Sequence, residues 1–243
     1  MPWRFAFRQG SFQGFRVPTL SEHSCMKHED LEAVHLTLSQ SRLTPYLVAS
    51  GGDLAHALDL YSWNLRVAAA FFVDLGTVEV VLRNSIDNHL TARFQTSSVS
   101  EPWFKTIVFS TVGEAQVEKA LKSVSQKPDV LQSHDDVISQ LTLGFWKNLL
   151  AKRYQATLWP TMKNAFLNDP NQLEQKREMI FSVVEQMNFL RNRIAHHEPI
   201  FNRDLTKQHA SMFEFLGSMS LETRLWAESI SQTMSVISDR PEL

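Results

Sequence analysis

Apolar residues recur at helical spacing along most of the chain, and strand-like alternation is scarce. Asp53 follows a Gly51-Gly52 break and is placed to cap a helix. From Leu58 the apolar positions follow a spacing close to 3.5 residues up to Leu90, which predicts one long helix, open to interruption near Gly76. The same patterning predicts further helices at about 113–125, 134–153, 172–197 and 205–237.

These patterns predict an all-α protein in which residues 28–243 form a single helical domain. We interpret residues 1–27 as a flexible leader, because its early arginines are not followed by the continuous apolar stretch of a secretory signal. The chain has no apolar run of the roughly 18 residues that a membrane span requires, so we expect no membrane association.

The amino-acid composition excludes some kinds of site. Cys25 is the only cysteine, which excludes an internal disulfide and a multi-cysteine zinc site and fits a cytoplasmic location. The net charge of −2 gives no overall basic field, so any nucleic-acid site must be a local patch.

The long helix carries an acid where its apolar seam predicts a core residue. Extending the seam by heptads from Leu58, Leu65 and Phe72 places Glu79 next, with Arg83 one turn later. Opposite charges four residues apart meet on a helix surface. Two interpretations stay open: a surface pair where the helix leaves the core, or a buried carboxylate that orients a second arginine.

The predicted helix at 172–197 has a similar misfit. At about 100° per residue its apolar residues share one broad face; they are Ile180, Val183, Val184, Met187, Leu190 and Ile194. Arg191 falls within that face, where a guanidinium needs an acid, a subunit partner or a phosphate. Glu79 is the first candidate for the acid.

The same helix ends in a polar group. Pro199 disfavours helical geometry at Glu198, so His196 and His197 are expected in the last turn. There the negative end of the helix dipole favours an imidazolium, which suits a general acid. Asn192 and His196 lie together on the far side of the helix, and His197 lies on the flank of the apolar face.

The segment from Arg191 to His196 fits the Arg-x4-His pattern, with Asn second, of the HEPN ribonucleases. The chain resembles the Abi-like (abortive infection) family over roughly residues 40–235. The resemblance is carried by four segments in the family's order: the long-helix sequence, "LGFWKNLL", "LWP" and "LRNRIAHHEPIF". The resemblance implies a HEPN-like helical bundle with additional helices, a homodimer that brings two motif helices together, and RNA cleavage without metal or other cofactor.

Carried over residue by residue, the resemblance makes Arg191 and His196 the catalytic pair and Asn192 their polar companion. Glu79 and Arg83 match an acid-x3-basic pattern on an earlier helix and are assigned a supporting role. The family's association with antiviral defence and toxin-like growth arrest also implies an inhibitor, which would be an RNA or protein antitoxin.

The expected chemistry uses the 2′-hydroxyl of RNA as nucleophile, with histidine moving protons and arginine holding the phosphate. On a regular helix Arg191 and His196 diverge by about 140°, so we expect a site composed from two subunits. His197 is the alternative histidine, since Arg-x5-His brings it nearer the face of Arg191.

The sequence also allows other interpretations. Arg191 paired with Glu79 and His196 as a helix cap would both be structural. Trp63, Trp146 and Trp159 invite a base-stacking interpretation, but their helical spacing among Phe and Leu favours core packing. A metal site is disfavoured, because the consecutive residues 196–198 point in different directions. The alternative function is a non-catalytic helical module that binds RNA, a nucleotide or a protein partner.

Overall fold

The computed structural model describes residues 28–94, 101–126, 133–166 and 177–242. Every regular element in these ranges is helical, which confirms the all-α class. Residues 28–62 and 241–242 belong to one compact unit, and the described residues between Trp63 and Arg240 belong to a second. The predicted leader, and with it Cys25, lies outside the described residues.

The first unit contains α1 (His28–Leu38), α2 (Gln40–Ala49) and the start of α3 (Leu54–Phe94). Gly51 and Gly52 have φ values of 61° and 91° and turn the chain between α2 and α3, a conformation that glycine adopts without strain. Asp53 caps α3 as predicted, since its Oδ1 accepts a hydrogen bond from the His56 amide at 2.9 Å. This bond holds the pKa of Asp53 below its usual value.

Helix α3 runs without a break through Gly76 and is about 60 Å long. Its predicted heptad seam is wrong in part, because Leu65 and Phe72 are 40% and 56% exposed. The seam starts at Leu58, which is itself partly exposed, and its drift of about 20° per heptad carries it into the buried face only at Ile86. Glu79 is partly exposed, so it is not a buried carboxylate of the core.

The described remainder of the second unit adds nine α-helices. They are α4 (Trp103–Thr106), α5 (Thr111–Ser125), α6 (His134–Gln140), α7 (Leu143–Leu149), α8 (Trp159–Met162), α9 (Arg177–Ala195), α10 (Leu205–Met219), α11 (Leu221–Ile230) and α12 (Thr233–Ser238). Short 3-10 turns cover Lys152–Tyr154 and Lys163–Phe166. Helices α5 and α9 confirm the predictions for 113–125 and, within its described part, 172–197.

Two predicted helices are wrong as single elements. The 134–153 helix breaks between α6 and α7, where Leu141 and Thr142 are extended. The 205–237 helix breaks at Ser220, which leaves helical geometry and caps α11 by accepting a hydrogen bond from the Thr223 amide at 3.1 Å. It breaks again at Ser231, which is also extended.

The second unit is built on buried aromatic rings. The indole of Trp103 lies within 6.3 Å of the Phe109, Phe145 and Trp146 rings, measured between centroids. Trp63, Trp146 and Trp159 are all buried, which confirms core packing and removes them as base-stacking surfaces. Helix α9 packs against α7 and α10, so its apolar face is anchored on both sides.

Candidate ribonuclease site

The motif helix α9 buries the face that its sequence predicts. Ile180, Val184, Met187, Leu190 and Ile194 are buried, and only Val183 of the predicted set is partly exposed. The His196 amide donates to the Asn192 carbonyl at 3.0 Å, which extends the helical hydrogen-bond pattern one residue beyond Ala195. The direction of every motif side chain up to His196 is therefore set by regular helix geometry.

The end of α9 is a Schellman turn. The His197 amide donates to the Ile194 carbonyl at 3.0 Å, and the Glu198 amide donates to the Arg193 carbonyl at 2.8 Å. His197 has φ of 54°, a left-handed conformation that costs a non-glycine residue roughly 1–2 kcal/mol. This turn fixes His196 as the last helical position and directs the chain away from the helix axis.

Arg193 holds this turn together. Its guanidinium forms an ion pair with Glu198 at 3.1 Å and donates two hydrogen bonds to the Pro199 carbonyl, at 3.2 and 2.7 Å. The next segment is fixed from α3, because Asn64 Oδ1 accepts from the amides of Ile200 at 2.8 Å and Phe201 at 3.1 Å. The chain on the C-terminal side of the motif is thus anchored at two points.

Arg191 differs from Arg193 in its contacts. The sequence placed it within the apolar face, and its side chain is partly buried. Within the described ranges it makes no hydrogen bond or ion pair, and the proposed pair with Glu79 is not formed. The guanidinium is therefore not neutralised by an acid in the described part of this chain.

Glu79 and Arg83 are not joined as the sequence suggested. No ion pair links them within 4.0 Å, and Arg83 Nε donates instead to Asn84 Oδ1 at 3.2 Å. Neither side chain has a hydrogen bond or ion pair with described residues of α9. The supporting role of Glu79 and Arg83 stays a prediction. It requires a partner other than the described residues of α9.

The remaining motif residues are exposed. Asn192, His196 and His197 all face solvent at the end of α9. The His196 ring makes no hydrogen bond or ion pair with described residues, so it is available to an added ligand. Because the helix is regular from Arg191 to His196, these two side chains leave it about 140° apart. One copy of α9 therefore does not aim both groups at one point.

The buried acids of α3 are Asp74 and Asp87, which sequence reasoning missed. Asp74 Oδ2 accepts hydrogen bonds from Ser231 Oγ at 2.8 Å and Thr233 Oγ1 at 2.5 Å, and it lies 3.7 Å from His209 Nε2. Burial lowers the pKa of His209 although Asp74 and Glu228 act in the opposite direction. The network joins α3, α10 and α12, and its closed hydrogen bonding indicates a structural role.

Asp87 anchors the second network. Its Oδ1 accepts from Trp103 Nε1 at 2.6 Å and lies 2.8 Å from His134 Nε2. His134 begins α6, where Ser133 and Asp136 form a capping box, and this start agrees with the helix predicted from about residue 134. The network borders a cleft that also includes Glu101 and Asp135. Glu101 and Asp135 have no cationic partner in the described ranges. Their negative charge makes the cleft a poor surface for RNA.

Within the described ranges, no three histidine, cysteine or acidic side chains are arranged to hold a metal ion. No helix in those ranges has the combined length and apolar character of a membrane span. No protein-family model matches the chain. Comparisons with curated proteins and with solved structures found no significant match.

Proposed function

We propose that the protein is a metal-independent endoribonuclease of the HEPN type found in Abi-like proteins. The observation that carries the proposal is the contrast between the two motif arginines. Arg193 is neutralised by Glu198 and bonded to the backbone, whereas Arg191 has no anionic partner among the described residues. A partly buried guanidinium without an acid is suited to bind a phosphate with two hydrogen bonds.

The reaction needs only groups that the protein and RNA supply. One histidine takes the proton of the 2′-hydroxyl while the O2′–P bond forms, and a second histidine protonates O5′ while the P–O5′ bond breaks. Arg191 stabilises the charge that develops on the phosphoryl oxygens. The products are a 2′,3′-cyclic phosphate and a 5′-hydroxyl, with no change of oxidation state.

The geometry of α9 supports a shared site. An in-line displacement places the base and the acid on opposite sides of the phosphorus atom, and one His196 cannot occupy both positions. In addition, Arg191 and His196 of one copy leave the helix about 140° apart. A homodimer that brings two α9 ends together supplies two histidines and lets an arginine of one copy face the histidine of the other. Asn192, on the same side as His196, is the expected hydrogen-bonding companion.

Substituting His196→Ala tests the activity. The variant is expected to lose at least about 100-fold in cleavage rate with unchanged secondary structure and dimer content. His56→Ala is the matched control, because its ring is also exposed and lies in the other unit. His197→Ala decides between the two motif histidines. Cleavage must persist in EDTA, and intact RNA in every wild-type assay would contradict the proposal.

The rival function is a non-catalytic module that binds RNA, a nucleotide or a protein partner. It is favoured by the divergence of Arg191 and His196 within one copy, since a monomer would not assemble the site. A wild-type protein that is monomeric and binds RNA without cleaving it would establish this alternative.

We also propose a toxin or antiviral role in the cytoplasm, held in check by an RNA or protein antitoxin. Induced expression is expected to arrest growth for the wild type and to be tolerated for His196→Ala. Copurifying RNA or protein would identify the inhibitor. Equal growth of both strains at equal protein levels, with no copurifying species, would contradict this role.

A further inference from the structure

Phe189 is an exposed aromatic residue placed on the motif helix. Its side chain is 47% exposed, in contrast to the buried Trp63, Trp146 and Trp159. Phe72 and Trp226 are more exposed, at 56% and 55%, so exposure alone does not distinguish Phe189, whereas its position on the motif helix does.

The ring lies on the same side of α9 as His196. Seven residues separate them, so their directions differ by only about 20° and their Cα atoms by about 10 Å along the helix. Asn192 lies between them on the same side. The surface from Phe189 through Asn192 to His196 is therefore continuous, and a nucleotide next to the phosphate held at His196 can reach the ring.

Two guanidinium groups flank this ring. Arg203 lies 4.9 Å from the ring centroid and Arg193 lies 5.7 Å from it. Arg193 is paired with Glu198. Arg203 forms no ion pair within the described ranges, and it donates to the side-chain oxygen of Gln208 at 2.8 and 3.0 Å in the amide orientation that satisfies both groups. Glu185, one turn before Phe189, is itself paired with Lys147 at 3.7 Å. The surroundings of the ring therefore keep an uncompensated positive charge.

A partly exposed aromatic ring with a guanidinium over it, and with no acid to neutralise that charge, matches what an unpaired nucleotide requires. Its base stacks on the ring or on the guanidinium plane, and its phosphate meets the positive charge. A base inside a duplex is already stacked and cannot do so. We propose that Phe189 and Arg203 form a stacking subsite for a base next to the scissile phosphate, which makes single-stranded RNA the substrate class. The proposal rests on the function assigned above to His196.

Binding to the inactive His196→Ala protein tests this without relying on cleavage. The probes are a short single-stranded RNA, the same strand with abasic riboses, and the corresponding duplex, all measured by fluorescence anisotropy. Adding Phe189→Leu is expected to weaken binding of the base-bearing strand on the order of 10-fold and to leave the abasic strand unchanged. Phe189→Tyr is expected to retain binding, which separates loss of the ring from loss of fold.

Trp226→Leu is the matched control, since Trp226 is 55% exposed on α11 and no guanidinium of the described residues lies over its ring. An equal loss for base-bearing and abasic strands, or no loss with Phe189→Leu, overturns the stacking subsite. Duplex binding as tight as single-strand binding also overturns it. If the wild type cleaves no RNA but shows the base-dependent pattern, the ribonuclease proposal fails and the stacking subsite stands as an RNA-binding site.

Discussion

Arg193 and Glu198 form an ion pair of 3.1 Å that closes the C-terminal turn of α9. The same two residues are joined through the backbone, since the Glu198 amide donates to the Arg193 carbonyl at 2.8 Å. Between them lie His196 and the left-handed His197. The hydrogen bonding of the Schellman turn is thus reinforced by charge at the point where the proposed catalytic histidine leaves the helix.

Arg193→Gln is expected to destabilise the fold by about 1–3 kcal/mol, because Pro199 loses both hydrogen bonds to its carbonyl. Glu198→Gln removes only the partly exposed ion pair and is expected to cost about 0.2–1 kcal/mol. Urea unfolding midpoints compare the two variants. A larger loss for Glu198→Gln than for Arg193→Gln would contradict the assignment of the turn to the Arg193 hydrogen bonds.

Asp87 and Glu79 are two acids of α3 whose substitution by alanine can be compared directly. Asp87→Ala leaves the buried Trp103 Nε1–H without its acceptor and is expected to cost about 1–3 kcal/mol. Glu79→Ala removes no hydrogen bond and is expected to change the free energy of unfolding by less than about 0.5 kcal/mol. Denaturant unfolding measures both. A stability loss from Glu79→Ala as large as that from Asp87→Ala would show a contact of Glu79 outside the described residues.

Local sequence patterns predict much of this fold because helical spacing is a local property. The cap at Asp53, the continuous α3 and the buried face of α9 all follow from positions a few residues apart. The heptad seam through Leu65 and Phe72 fails because it starts at Leu58, outside the buried stripe, and a 3.5-residue spacing turns by only about 20° per heptad. The spacing Val67, Phe71, Asp74 would have placed Asp74 on the buried stripe.

The candidate site was only partly accessible from sequence. The position of Arg191 within the apolar face is a prediction from helix geometry, and its side chain is partly buried in the structure. The partners of charged side chains depend on tertiary packing. Asn64 and Phe201, for example, are 137 positions apart yet hydrogen-bonded. For this reason the sequence favoured Glu79 as the partner of Arg191 and did not separate the roles of the two motif arginines.

His209 gives the stability a dependence on pH. Burial lowers its pKa below the ordinary value of 6.5, so the unfolded chain takes up a proton before the folded protein does. The stabilisation is complete above that value and decreases as the pH falls through it. Between about pH 7.5 and pH 5.5 the wild type is therefore expected to lose more free energy of unfolding than His209→Gln. Identical pH profiles for both proteins would show that His209 does not titrate differently on folding.

Subunit mixing tests whether the site is shared. If each catalytic cleft needs His196 from both copies, a dimer with one His196→Ala subunit is inactive. Equal amounts of wild-type and variant chains, exchanged freely, then retain roughly a quarter of the activity of the same total amount of wild type, since only dimers of two wild-type chains work. Independent sites within each chain would retain about half. Co-expression with different affinity tags allows the mixed dimer to be isolated, and cleavage by that species at half the wild-type rate would exclude the composite cleft.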